Sequence, residues 1–218
     1  SFASTINTAN ITVNEGVTVT LNGDFNNVGS IQNNGLIKTS ASFTGGGQFN
    51  HLNGTIEYNG SNGQEIEALQ VSTNIFKNII ISGEGTKNLV STVRINGDLI
   101  LSGGQLNTNG HWLVLIDDGM LYEEPGNTVI NSTDSLGVQY QGESVLSENT
   151  NYGNLGLGVF LDEVVPIQVV RYNHSLTNHN NNNSIERYYE FHIKQPISSY
   201  TGSVEFHYDS SELNGIDE

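Results

Sequence analysis

Apolar residues recur at every second position through most of the first half of the chain. Val17, Val19 and Leu21 alternate with Thr18 and Thr20. Later runs keep this spacing: Ile79 and Ile81, then Val93, Ile95, Leu99 and Leu101. A period of two is typical of β-strands, whereas helices place apolar residues three and four positions apart. Between residues 6 and 116 we therefore predict short strands and almost no helix.

Glycine and asparagine end nearly every run. Asn-Gly occurs at residues 22–23, 34–35, 53–54, 59–60, 62–63, 96–97, 109–110 and 214–215. Both residue types tolerate the positive φ that sharp turns require. Asn-Gly is also typical of two-residue hairpins, so an antiparallel sandwich or roll is the alternative to consider.

Internal repetition favours parallel coils over hairpins. The sequence TVTLNGDF at residues 18–25 returns as TVRINGDL at 92–99, and SIQNNG at 30–35 returns with one insertion at 104–110. A short strand, a corner and another short strand, repeated, is what a parallel solenoid requires. We predict a right-handed parallel β-helix in residues 1–130, with its coils beginning near residue 5. Asparagines stacked on successive corners are expected to form amide ladders.

After Met120 the pattern changes. A polar corner at residues 123–127 is followed by longer strands at 164–172, 187–193 and 203–208, with a polar loop at 174–184. In the last two strands the apolar residues share one face each: Tyr189, Phe191 and Ile193, then Val204, Phe206 and Tyr208. We predict a β-sandwich-like module in residues 131–218 that lacks a strand at its C-terminal end or is completed by other chain.

Charge and composition narrow the possible partners. The chain has 218 residues, 23 Asp+Glu against 7 Lys+Arg, and a net charge of −16. Such a field disfavours nucleic acid and anionic membrane surfaces, and leaves cations, Ca²⁺ and neutral glycans. No apolar run approaches the roughly 18 residues that would span a bilayer. The absence of cysteine excludes disulfides and thiol chemistry.

Several segments carry a family resemblance. Residues 76–83 (FKNIIISG), 85–89 (GTKNL) and 93–99 (VRINGDL) resemble the solenoid repeats of large surface and adhesin-like proteins of Bacteroidota. Residues 156–159, 170–174, 184–189, 208–209 and 212–215 are similar to a module that often follows such repeats. The resemblance covers residues 75–218. It implies an extracellular or cell-surface location, and a parent protein exported by the type IX secretion system through a separate sorting domain.

Two acidic clusters are candidate metal sites. The first comprises Glu190, His192, Glu205, His207 and Asp209, which would converge at metal-ligand spacing if their strands paired. The second comprises Asp117, Asp118, Glu123 and Glu124, with oxygen ligands suited to Ca²⁺. For the first cluster a solvated outer face is the favoured interpretation, because alternation places these residues outside when Phe191 and Phe206 face inward. For the second cluster an acidic solvated corner is favoured over calcium. Glu57, Glu65 and Glu67 are interpreted in the same way.

Polysaccharide-processing β-helices offer an enzymatic alternative. A lyase needs cations to neutralise uronates, but Lys38, Lys77, Lys87 and Arg94 occupy dissimilar repeat positions. A hydrolase needs a carboxylate pair, but Asp24 and Asp98 follow Asn-Gly in equivalent repeats, which makes them corner residues. Trp112 is a candidate sugar-stacking residue, but a core or capping position is the favoured interpretation of a lone aromatic in an apolar run.

Two further patterns are short. Residues 18–20 (TVT) resemble one triplet of an ice-binding face, and Asp134 begins a three-residue pattern like an O-glycosylation acceptor. We assign no catalytic, cofactor or metal residue. The sequence favours a non-catalytic structural or adhesive extracellular segment, with a glycan or surface partner; the alternative is a carbohydrate-binding or polysaccharide-processing β-helix.

Overall fold

The computed structural model describes residues 4–68, 75–131, 136–144, 150–173, 187–195 and 201–208. The chain is 55% strand and 2% helix, and it forms a parallel β-solenoid of about 6 turns followed by antiparallel strands. The predicted all-β fold is therefore confirmed. The antiparallel alternative for the first half is wrong, because every pairing described among the strands before residue 144 is parallel.

The strands are short and are numbered in chain order. They are β1 (Thr5–Asn7), β2 (Asn10–Val13), β3 (Thr18–Leu21), β4 (Phe25–Asn27), β5 (Ser30–Asn33), β6 (Leu36–Thr39), β7 (Phe43–Thr44), β8 (Gln48–His51), β9 (Thr55–Tyr58), β10 (Gln64–Ile66), β11 (Asn78–Ile81), β12 (Thr86–Leu89), β13 (Val93–Ile95), β14 (Asp98–Leu101), β15 (Gln105–Asn107), β16 (Leu113–Ile116), β17 (Met120–Glu123), β18 (Val129–Ile130), β19 (Val138–Glu143), β20 (Thr150–Asn151), β21 (Leu157–Leu161), β22 (Pro166–Tyr172), β23 (Tyr188–Ile193) and β24 (Gly202–Phe206). A 3-10 turn (Tyr152–Asn154) separates β20 from β21.

Successive strands lie on three walls in turn, except that β10 on the first wall is followed by β11 on the third. The third wall is one unbroken parallel sheet in the order β3-β6-β9-β11-β14-β17. The first wall consists of β1-β4-β7 and then β10-β12-β15-β18; the second consists of β2-β5-β8 and then β13-β16-β19. Because side chains alternate across each wall, every second residue enters a narrow shared core.

The repeated sequences do not occupy equivalent places on the coil. Residues 18–21 form β3 on the third wall, whereas their copies at 92–95 contribute β13 on the second wall. Asp24 accordingly precedes the first wall and Asp98 begins β14 on the third. The expectation that these two aspartates are equivalent is therefore wrong. The sequence repeat is a strand–corner–strand unit, and coil length varies from 18 residues (Thr18 to Leu36) to 25 (Leu113 to Val138).

A row of aromatic rings runs through the interior of the early coils. The rings of Phe25, Phe43, Phe49, His51 and Phe76 follow one another with centroid separations of 5.4, 5.5, 4.5 and 4.7 Å. Burial lowers the pKa of His51 to about 3, and neither of its buried ring nitrogens has a hydrogen-bond partner among the described residues. His51 is therefore a neutral ring in the core at physiological pH.

The predicted asparagine ladders form only in part. Asn7 donates to Asn27 (Nδ2 to Oδ1, 2.8 Å) and Asn107 donates to Asn88 (3.1 Å) on neighbouring coils. Asn27 and Asn33 instead donate to main-chain carbonyls of the next coil. The excess of asparagine thus serves the coil corners more often than it builds side-chain ladders.

The second half continues the second wall of the solenoid. β19 pairs with β16 in parallel and with β22 antiparallel, and β22 pairs with β23. A separate antiparallel sheet has the order β20-β21-β24. One hydrophobic cluster extends from Val13 in the first coil to Val169 in β22. The three long strands predicted here are confirmed by β22, β23 and β24, and the division at residue 130 stays a prediction.

The last strand differs from expectation in its packing. Val204 and Phe206 are 55% and 56% exposed, although the alternation predicted that Phe206 would be inward. Its ring lies 6.0 Å from that of Tyr189. The predicted loop at 174–184 and the predicted missing strand after residue 208 fall outside the described residues. In the described ranges, no helix has the length and apolar character needed to cross a membrane.

Candidate functional site

Glu123 ends an inward-facing column of the third wall. The column contains Leu21, Thr39, Tyr58, Ile81, Leu101 and Glu123, which lie opposite one another on successive coils. A carboxylate therefore stands where five earlier coils place an apolar or hydroxyl-bearing side chain. Because an isolated charge is costly to bury, this position requires a partner.

Arg171 on β22 supplies that partner. Its Nη1 donates to Glu123 Oε2 at 2.9 Å, and its Nη2 donates to Oε1 at 2.8 Å, so the pair is bidentate. Arg171 is fully buried. The hydroxyl of Thr128 and the backbone amide of Val129 also donate to Glu123 Oε1, each at 2.8 Å. The last coil of the solenoid is thereby tied to the antiparallel half.

The electrostatics keep Glu123 ionised. Burial alone would raise its pKa, but the charge and hydrogen bonds of Arg171, the Val129 amide and the charge of Arg187 together lower the pKa to about 2. Arg187 Nη2 lies 3.6 Å from Glu123 Oε2. The carboxylate is therefore a fixed anion at neutral pH and is not placed to act as a general acid.

A pocket of about 330 Å³ opens beside this pair. It is lined by Leu121, Glu123, Asn151, Asn154, Gly156, Arg187, His207 and Tyr208. Hydrogen bonds fix its wall: Asn154 Nδ2 donates to Leu121 O (2.6 Å) and the Gly156 amide donates to Asn151 Oδ1 (2.8 Å). Since Glu123 is the sole carboxylate among these lining residues and is held by arginine, the described pocket lacks the pair of carboxylates that glycoside hydrolysis uses.

The calcium hypothesis at the solenoid end is not supported by the geometry. Glu123 points inward to Arg171, whereas Asp117, Asp118 and Glu124 are exposed. Asp117 has a positive φ of 54° at the corner before β17. Across the described ranges, no group of three or more His, Cys, Asp or Glu side chains is placed to hold a metal ion.

The other candidate metal cluster is divided between two sheets. β23 pairs with β22 and β24 pairs with β21, so the predicted convergence of their polar faces does not occur. Instead His192 lies 3.3 Å from Glu190 and His207 lies 3.9 Å from Glu205, within the same strand or its end. Asp209 lies outside the described residues, as does Asp134.

The remaining acidic candidates are surface groups. Glu57 forms an ion pair with Lys38 (2.8 Å) and accepts a hydrogen bond from the Ser82 hydroxyl (2.6 Å). Partial burial would raise the pKa of Glu57, but these contacts lower it overall. Glu65 and Glu67 are exposed.

Lys87 is a buried cation that the sequence did not predict. Its side chain is fully buried in the solenoid. The ammonium group donates to the carbonyls of Gly60 (2.7 Å), Gly83 (2.9 Å) and Glu84 (2.7 Å), and burial lowers its pKa. Alternation with inward Leu89 was the available signal, but a lysine is ordinarily assigned to the surface. Lys87 therefore closes a corner of the coil.

The other cations also lack a shared substrate face. Lys77 donates to Asn96 O at 3.1 Å, Lys38 pairs with Glu57, and Arg94 is exposed on the second wall. These residues therefore do not form the row of cations that a lyase would need to neutralise uronates.

Neither Trp112 nor the threonines of residues 18–20 lie in the surroundings that their candidate roles require. Trp112 is partly buried before β16, and its carbonyl accepts from the Val93 amide. Thr18 and Thr20 lie beside Leu36 and Lys38, so no threonine array forms. Tyr122, which no sequence motif singled out, is 43% exposed and continues an outward row with Ile80 and Ile100.

Comparison of the chain with protein-family models, with curated proteins and with solved structures found no match.

Proposed function

We propose that this chain is a non-catalytic structural and adhesive segment of a large secreted or cell-surface protein. The observation that carries the proposal is the continuity of the molecule: one hydrophobic cluster and one sheet pass from the solenoid into the antiparallel strands. An element built in this way acts as a stiff spacer, because bending it disturbs backbone hydrogen bonds on several coils at once.

Internal ties add to the stiffness without disulfides. Lys87 joins the carbonyl of Gly60 on one coil to those of Gly83 and Glu84 on the next corner. The Arg171–Glu123 pair links residues 48 positions apart. Both contacts lie inside the molecule, where solvent screens charges weakly.

The location and partners are proposed from charge and resemblance. A net charge of −16 keeps neighbouring copies apart and disfavours anionic partners. The resemblance to Bacteroidota surface proteins supports export of the parent protein by the type IX system, and a glycan or another surface component as the partner.

Carbohydrate binding on the third wall is the second candidate. Its support is the outward row of Ile80, Ile100 and Tyr122, which presents an exposed phenol ring on a parallel sheet. Tyrosine rings stack on the apolar faces of sugars. The acidity of the chain favours neutral over acidic glycans.

One set of measurements separates these functions. The purified chain is applied to a glycan array and assayed for reducing sugars released from polysaccharides, with Tyr122→Ala as the matched variant. A spacer gives no turnover, and adhesion through the third wall gives binding that Tyr122→Ala removes. Turnover on any polymer contradicts the non-catalytic proposal. Antibody labelling of intact source cells tests the surface location, and signal seen only after permeabilisation contradicts it.

A further inference from the structure

Two Asn-Gly dipeptides occupy one corner of the solenoid in different surroundings. Residues 59–60 and 62–63 both lie between β9 and β10. Gly60 is buried, whereas Asn62 and Gly63 are exposed. The same Asn-Gly dipeptide therefore occurs twice in one corner, once with its glycine buried and once exposed to solvent.

The first dipeptide is held by Gln64. The Gly60 amide donates to Gln64 Oε1 at 2.8 Å. Gln64 is itself fixed, because its Nε2 donates to the carbonyls of Thr39 and Ala41 at 3.0 Å each. A Cβ on Gly60 would lie 2.6 Å from Ser40 O, so the backbone has little room to rearrange.

The second dipeptide has no such restraint. Among the described contacts the Gly63 amide has no hydrogen-bond acceptor. A Cβ on Gly63 would meet only Thr86 O, at 3.5 Å. Both the amide proton and the backbone of this dipeptide are therefore accessible to solvent and free to adjust.

Asparagine followed by glycine undergoes a defined reaction when these conditions hold. The glycine nitrogen loses its proton to base, and its electron pair attacks the asparagine Cγ. The new N–Cγ bond closes a five-membered imide, and the bond from Cγ to the side-chain nitrogen breaks, so that ammonia leaves. Water then opens the ring to give aspartate or isoaspartate. Glycine permits this because it lacks a Cβ and has the freest backbone.

We propose that Asn62 is a site of spontaneous deamidation and that Asn59 is protected by Gln64. Attack by the Gly60 nitrogen first requires loss of the bond to Gln64, and opening one such bond makes the reaction roughly tenfold slower or more. At Asn62 the described structure imposes no comparable step. Each event adds one negative charge to a surface corner outside the paired strands.

The experiment follows both asparagines in one sample. The full chain is incubated at mildly alkaline pH and body temperature, and deamidation at positions 59 and 62 is measured over time by peptide mapping with fragment-ion mass spectrometry. We expect Asn62 to be modified roughly tenfold faster or more than Asn59. In denaturant the two rates should approach each other, because the protecting contacts are lost.

Variants distinguish this protection from sequence effects. Gly63→Ala, which the 3.5 Å clearance accommodates, should suppress the reaction at Asn62 and leave Asn59 unchanged. Gln64→Ala should raise the rate at Asn59, and so should Gln64→Met, which keeps an unbranched side chain of similar length without the amide oxygen and serves as the second variant if the alanine variant folds poorly. Equal rates in the folded chain, or an unmodified Asn62 beside a reactive denatured control, would overturn the proposal.

Discussion

The middle of the solenoid and its end bury a cation in contrasting ways. Lys87 is surrounded by three backbone carbonyls, and no carboxylate of the described residues lies within ion-pair distance of it. Arg171 is held by the carboxylate of Glu123. The first cation belongs to one corner and stabilises the path of the chain. Arg171 joins the last coil of the solenoid to the antiparallel strands. Because its partner is a single side chain, Glu123, a double variant can remove both charges.

The largest effect is expected at the solenoid end. Arg171→Leu leaves Glu123 buried without its bidentate partner, and this should lower the free energy of unfolding by about 3–5 kcal/mol. Chemical denaturation monitored by circular dichroism measures it. The double variant Arg171→Leu with Glu123→Leu should be clearly less destabilised than the single one, because the buried carboxylate is removed together with its bidentate partner. A double variant as unstable as the single one contradicts this account.

Removal of the mid-solenoid cation should cost less. Lys87→Met keeps an unbranched side chain in the core but leaves three carbonyls without their donor, which should destabilise the chain by about 2–3 kcal/mol. The same denaturation experiment applies. Here no carboxylate substitution restores stability, and a second-site acidic-to-apolar change such as Glu84→Leu serves as the control. Wild-type stability in Lys87→Met would remove the assigned capping role.

Acid should act on the early coils through His51. Its pKa is about 3 in the folded chain against 6.5 for an unperturbed histidine, so the unfolded state binds the proton first as pH falls. Stability is then lost below pH 6.5, by at most about 1.4 kcal/mol per pH unit, until the folded pKa is reached. Denaturation at pH 7 and pH 5 measures the change, and His51→Phe should flatten it. An unchanged pH dependence in that variant contradicts the neutral buried ring.

Glu123 produces a separate acid effect at lower pH. Its folded pKa of about 2 lies below the ordinary value of 4.5 for a glutamate, so its stabilisation is complete above pH 4.5 and is lost as pH falls towards 2. Glu123→Gln should remove the loss of stability between pH 4.5 and 2, and it should leave the loss caused by His51 below pH 6.5 unchanged.

The smallest effect belongs to the surface. Lys38→Ala breaks the ion pair with Glu57 on the outer face of the third wall, and should cost only about 0.2–1 kcal/mol. The loss should shrink at high salt, whereas the loss from Arg171→Leu should change little. An equal effect of salt on the losses of stability from Lys38→Ala and Arg171→Leu would contradict the distinction between the surface pair and the buried pair.

The fold was predictable because its cause is local. Alternating apolar residues ended by glycine and asparagine specify short strands and corners, and the repeated strand–corner–strand unit indicated parallel stacking. Period alone could not assign the wall: residues 18–21 and 92–95 look alike and lie on different walls. Coil length also varies, from 18 residues between Thr18 and Leu36 to 25 between Leu113 and Val138, and the local alternation does not fix it.

The solenoid-end pair was hidden for a physical reason. Glu123 and Arg171 are 48 residues apart, and each has the appearance of a surface residue in its own segment. Their contact depends on how β22 docks beside β19, which no local pattern encodes. The burial of Lys87 was not predicted because its three partners are backbone carbonyls, which every residue type provides. The polar alternation of β23 and β24 was evident, but their membership of different sheets was not.

The central claim is that the coils stack in parallel and in register along the third wall. Because the chain has no cysteine, spin labels at Thr20→Cys and Tyr122→Cys can be placed on one outward row and their separation measured by pulsed electron paramagnetic resonance. Five strand steps predict roughly 24 Å between these positions, and moving the first label to Lys38→Cys should shorten the distance by roughly 5 Å. Distances that do not shorten by one strand spacing would contradict the stacked solenoid.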